Sequence, residues 1–195
     1  MPSNTDICNM ALLGIGASPK ITSLSEDSEN ARLANAFYQP TVDAVLRSHI
    51  WNCAIERPAS SISPLATGPD TDYDYYYNLP SNPYCLRLLQ VGEADDQPTL
   101  WKVEGRKFMY NSSSAKIVYI KRIVDTNEFD PLLVEAIVNR LEIKFAPSLA
   151  KGSRSMVKDL IEEYEIITAP LARTIDAQES CHQQMVTEDW VAERA

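Results

Sequence analysis

The apolar positions of the chain change period along its length. At the N-terminal end Ile7, Met10, Ala11 and Ile15 recur at helical spacing behind Asn4 or Thr5, either of which can cap the helix. Gly14, Gly16 and Ser18-Pro19 then end it. A second helix is predicted to start near Ser25, where Glu26, Asp27 and Glu29 suit the positive end of a helix dipole. Its apolar face runs Ala31, Ala34, Phe37, Tyr38, Val42, Val45, Leu46 and Ile50, with Trp51 following as a large packing anchor. Pro40 falls inside that pattern and predicts a kink or break near Gln39.

From 57 to about 72 the residues turn to Pro, Ser, Gly and Thr, which reads as a loop. The period then becomes two. Tyr73, Tyr75 and Tyr77 alternate with Asp74 and Tyr76, and the segments 85–91, 100–104, 107–110 and 116–124 read as short strands. Glu104-Gly105 supplies a tight turn between two of them. The expectation is one small antiparallel sheet inserted between helices.

Helical spacing returns at Asp130-Pro131, a capping residue followed by proline at the first helical position. Leu133, Ala136, Ile137, Leu141 and Phe145 form its face, and Lys151-Gly152 stops it. A last long helix, capped by Ser153 or Ser155, carries the face Met156, Val157, Leu160, Ile161, Tyr164, Ile167, Leu171 and Ile175, with a bend expected at Pro170. After Asp176 the chain is polar, and Met185, Val186, Trp190 and Val191 are isolated apolar residues. Such a tail cannot bury itself and is expected to await a partner. The predicted class is α+β, mainly α. It is a single domain over 1–195, with an antiparallel helical bundle from 4–57 and 130–176, an inserted β region at 72–125 and an extended tail at 177–195.

Charge and candidate chemistry narrow the function. The 195 residues carry a net charge of −9. An acidic chain repels phosphate backbones, which argues against sequence-reading of nucleic acid; Lys116, Lys121 and Arg122 are the one hint of a basic patch. Cys8, Cys53, Cys85 and Cys181 lack the short spacing of a zinc or redox site and are expected as reduced thiols. No apolar run reaches the roughly 20 residues of a membrane span, and no signal peptide is evident. Gly14-Ile15-Gly16 follows a helix and lacks Gly-Lys-Ser/Thr, so it reads as helix termination rather than a phosphate loop. Asp70-x-Asp72-x-Asp74 opens like a calcium loop, but Tyr75 and Ser81 stand where glycine and glutamate belong. His49 and His182 lie in no catalytic motif, and His49 reads as a helix-end residue. No catalytic, metal or cofactor site is predicted.

Several phrases together resemble the tail tubular protein A family of short-tailed bacteriophages, the head-to-tail adaptors. They are ICNMALLGIGASPKITSL, SEDSENAR, AFYQPTVDAVLRSHIWN, YDYYYNLP with CLRLLQV, FDPLLVEAIVNRL and RTIDAQES, spread over residues 5 to 180. The resemblance implies a helical bundle with an inserted β region. It implies twelve copies in a ring beneath the portal, extending the DNA channel without sequence-specific contact and offering a landing surface for the tail nozzle or tube. Virion location, with assembly in the host cytoplasm, follows from it. The C-terminal extension would reach the portal, which assigns Asp176, Gln178, Glu179, Met185, Trp190 and Val191 to portal binding. Tyr73, Tyr75 and Tyr77 are assigned to a ring or tail interface. The alternative is a peptidoglycan-degrading hydrolase, for which Glu56, Glu93 and Glu104 are the candidate carboxylates.

Overall fold

The computed structural model describes residues 1–18, 20–67, 72–92, 100–149 and 154–179. Helix α1, Asn4–Gly14, is capped by Ser3, one residue before the nearer of the two expected caps. Ser3 Oγ accepts the Asp6 N–H at 3.2 Å, and the Asp6 carboxylate accepts the Ser3 N–H at 3.0 Å. This reciprocal box satisfies two otherwise orphaned donors, and the Ser3 hydrogen bonds hold the Asp6 carboxyl below its ordinary range. The helix ends as glycine requires. Gly16 takes φ +71°, Gly16 N–H donates to Leu13 O at 2.9 Å, and Ala17 N–H donates to Leu12 O at 2.8 Å. That pair of bonds is a Schellman cap.

Helix α2, Glu29–Ser48, is capped by Ser28, whose Oγ accepts the Ala31 N–H at 3.2 Å, so it starts later than the Ser25 prediction. It runs through Pro40 without a break. Pro40 and Ala36, four residues earlier, both face solvent, so water can serve the carbonyl that proline leaves unpaired. His49 is its C-cap, and Trp51, buried behind it, donates its indole N–H to Val45 O at 3.0 Å. Helix α3, Pro131–Leu149, starts where Asp130-Pro131 predicts: Asp130 Oδ1 accepts the N–H groups of Leu132 and Leu133 at 2.8 and 3.2 Å. Leu133, Ala136, Ile137, Leu141 and Phe145 are all buried. They form the centre of a core shared with Ile7, Leu12, Val42 and Leu46 of α1 and α2. The chain closes with α4, Arg154–Glu163, a π-turn over Tyr164–Thr168, and α5, Ala169–Gln178.

Between α2 and α3 lie β1 Ile55–Glu56, β2 Ala66–Thr67, β3 Tyr75–Asn78, β4 Cys85–Val91, β5 Trp101–Glu104, β6 Lys107–Tyr110 and β7 Ile117–Lys121. They form two antiparallel sheets, ordered β1-β7-β4 and β2-β3-β6-β5, where one sheet was expected. The reason is that β4 pairs with β7 rather than with its neighbours in sequence, while β3 pairs with β6 across that insertion. The expected Glu104-Gly105 turn joins β5 to β6, with Gly105 at φ +60°. A second core lies in this region. Tyr77 and Phe108 are register partners, and their rings stack at 4.8 Å between centroids. The fold is therefore α+β, with helices flanking an inserted β region. Among the described residues no helix is long and apolar enough to cross a membrane.

Candidate functional site

The outer face of the last helices departs most from expectation. Up to Tyr164 the predicted face holds except at Ile161, which is exposed: Met156, Val157 and Leu160 pack on the core and Tyr164 is buried, with the Arg140 guanidinium 5.1 Å from its ring centre. Then the Ala169 N–H donates to Tyr164 O, five residues back instead of four. Each such bond accommodates one extra residue in the turn. Everything beyond it is rotated relative to an uninterrupted α-helix. Thr168, Ala169, Ala172 and Asp176 take the inward positions, and Asn139 Nδ2 donates to Thr168 Oγ1 at 2.7 Å. Ile167, Leu171 and Ile175, predicted to be buried, point to solvent instead. Ile167 is 61% exposed and its neighbour Ile166 65%. With Ile161, also exposed, they make an aliphatic stripe along α4 and α5 that no described residue covers. Single exposed aliphatics are ordinary, but a contiguous row of them marks an interaction surface.

Asp176, assigned from sequence to portal binding, lies inside the fold at 6% exposure. His49 Nε2 is 3.0 Å from its Oδ2, and the Asn52 N–H donates to its Oδ1 at 2.9 Å. The Asn52 side-chain amide also donates to the Asp176 carbonyl. Its carboxylate thus ties the end of α5 to the turn after α2, while His49 packs edge-on against Trp51 at 4.9 Å. An aspartate spent on this tie is not a free docking group. Gln178 and Glu179 are exposed at the end of α5. Met185, Trp190 and Val191 lie outside the described residues.

The three tyrosines assigned to an interface separate. Tyr77 is fully buried against Phe108 and donates its hydroxyl to Ser112 O, so it belongs to the second core and not to a surface. Burial raises its pKa. Tyr75 packs partly against the same core, and Tyr73 is half-buried. Alternation predicted that the rings share a sheet face; of the three assigned to an interface, Tyr77 is the one taken wholly into the core.

Glu56 lies on β1 and Glu104 on β5, in different sheets, each beside a lysine: Lys121 at 3.7 Å and Lys102 at 2.6 Å. Glu93 and Asp70 lie outside the described residues. Among the described residues no three His, Cys, Asp or Glu gather as a metal site. Cys8, Cys53 and Cys85 are free thiols, and burial pushes Cys8 up to about 12.

Of the basic residues singled out earlier, Lys121 is held by Glu128 at 2.8 Å, the main cause of its raised pKa. Arg122 instead helps line a cleft of about 440 Å³ beside β4. Arg47 from α2, Arg87 from β4 and Arg106 from the β5–β6 turn line it too, with Asp43 as the one carboxylate among the described lining residues. Arg122 Nε donates to Asp43 Oδ1 at 2.9 Å, and a second Arg122 nitrogen donates to Oδ2. Arg106 donates to Cys85 O at 2.7 Å and Pro80 O at 2.8 Å, and Arg47 to Leu86 O. The guanidiniums of Arg106 and Arg122 both lie over Tyr84, 4.1 and 4.5 Å from its ring centre. These residues are spread from α2 to the end of β7, so no local run in the sequence announces them.

No family model matches the chain, and comparison with curated proteins gives no match.

Proposed function

We propose that this chain is a structural head-to-tail adaptor of a bacteriophage virion. Copies of it form a ring beneath the portal that extends the DNA channel and receives the tail nozzle. The observation that carries the reading is the aliphatic stripe of Ile161, Ile167, Leu171 and Ile175, which nothing in the chain's described residues covers. A neighbouring copy in the ring covers it. A standard interface removes about 800 Å² from each partner, and a helical row of branched side chains is suited to the apolar centre of such a patch. The sequence resemblance to tail tubular adaptors supports the same reading, as does the order helices, inserted β region, helices. The alternative of a muralytic hydrolase gains no support from Glu56 and Glu104, which sit in different sheets.

In this assembly the helices are scaffold, the stripe joins copies, and the residues beyond Gln178 reach the portal. The twelve-copy ring and the portal are features of the proposal. Sedimentation velocity of the protein with portal rings tests it. Wild type is expected to co-sediment with the portal, and Leu171→Glu to remain a folded monomer. If Leu171→Glu assembles as well as wild type, the stripe is not the contact between copies.

A further inference from the structure

The arginine-lined cleft has no role in the adaptor reading, and its chemistry is out of keeping with the rest of the molecule. The chain as a whole carries −9, yet four guanidiniums face one carboxylate here. Among the described residues three positive charges are therefore left without a counter-charge, since arginine stays protonated at any working pH.

The hydrogen bonds that these arginines make do not neutralise them. Arg106 and Arg47 donate to neutral backbone carbonyls, which orients the guanidiniums and leaves their charge intact. Tyr84 adds to this. Arg106 and Arg122 both lie within cation–π distance of its ring, which helps to fix their positions. Arg122 spends two donors on Asp43, while Arg87 is exposed and its guanidinium makes no hydrogen bond or ion pair among the described residues. A set of fixed, uncompensated forks in one cleft is pre-organised for a multivalent planar or tetrahedral oxyanion.

We propose that this cleft binds phosphate oxyanions, with Arg87, Arg47 and Arg106 as the ligating residues and Arg122, pinned by Asp43, as a fixed wall. A single carboxylate would leave two of the three charges unmatched, whereas a di- or polyphosphate group balances them. A cleft of about 440 Å³ has room for a pyrophosphate-sized group, because a water occupies only about 30 Å³ of liquid. Two sources share this chemistry: a free phosphate compound and the backbone of a nucleic-acid strand.

The test uses the full chain as a monomer, so its result does not depend on ring assembly or on the portal. Sodium pyrophosphate is titrated by calorimetry at low salt, and a fluorescent oligodeoxythymidylate is followed by anisotropy. Saturable binding is expected, weakened about tenfold by Arg87→Ala, more by Arg87→Ala with Arg47→Gln, and weakened by added salt. The Arg87 guanidinium has no partner among the described residues, so its variant should fold. Arg154→Ala, on α4, should bind as wild type does. Binding of pyrophosphate alone identifies a free phosphate compound as the source; binding of the oligonucleotide with the same sensitivity to Arg87 identifies a strand backbone. Absence of saturable binding to both probes, or binding that Arg87→Ala with Arg47→Gln does not weaken, overturns the proposal. So does tighter binding of a glutamate-rich peptide than of either phosphate probe.

Discussion

Glu142→Gln should stabilise the protein increasingly as pH rises above about 4.5, with the full gain above about 7. Glu142 sits on α3 among the core residues at 9% exposure, against the end of α1, where its carboxylate occupies the space a Cβ on Gly14 would need. Burial, and then the charge of Glu163, push its carboxyl from an ordinary 4.5 up to about 7. Between those two values the folded protein holds a proton that the unfolded chain has released. Stability is therefore undiminished below 4.5, falls as pH rises through the window, and stays reduced above about 7. At about 1.4 kcal/mol per tenfold change in proton affinity, the upper limit of the loss is about 3 kcal/mol. Water contact that remains at this site brings the expected value to about 1–2 kcal/mol. Glutamine keeps the shape and removes the charge. Urea denaturation of both proteins from pH 5 to pH 8 should show near-equal midpoints at pH 5 and a more stable variant at pH 8. A difference that does not change with pH, or a variant less stable at pH 8, would refute the assignment of a buried, ionising carboxyl.

Other consequences concern packing and the surface. Asp176→Ala leaves the Asn52 N–H and the His49 ring without their acceptor, and thermal denaturation should register a loss of about 1–3 kcal/mol. Phe108→Ala removes the ring stacked on Tyr77 and should cost about 3–5 kcal/mol in a denaturant titration; a loss below about 1 kcal/mol would mean that the second core is not packed as described. Ile167→Glu changes an exposed position, so its melting temperature should stay within a degree or two of wild type while assembly on the portal is lost.

Much of the fold is legible in the sequence where the signal is local. Asp130 and Pro131 mark the start of α3 because capping and proline chemistry act within a few residues, and its 3.6 period is uninterrupted. The segments 85–91 and 107–110 coincide with β4 and β6 for the same reason. What escaped is non-local or depends on a change of register. One sheet became two because the pairing of β4 with β7, and of β3 with β6, is decided between distant segments. The stripe was placed inside because the spacing of Ile167, Leu171 and Ile175 carries no mark of the extra residue that the π-turn inserts. Pro170, which denies a backbone N–H just after that turn, was the available clue. Asp176 looked like part of a free tail because its partners, His49 and Asn52, lie more than a hundred residues away. The arginine cleft was invisible for the same reason: its four charges come from α2, β4, the β5–β6 turn and the end of β7.

Native mass spectrometry of the protein mixed with the portal protein of the same genome tests the central claim most directly. The adaptor reading predicts a portal ring heavier by twelve copies of a 21.8 kDa chain, about 260 kDa, with no such mass when Leu171→Glu is used. A portal ring of unchanged mass beside a folded, monomeric wild-type chain would contradict it.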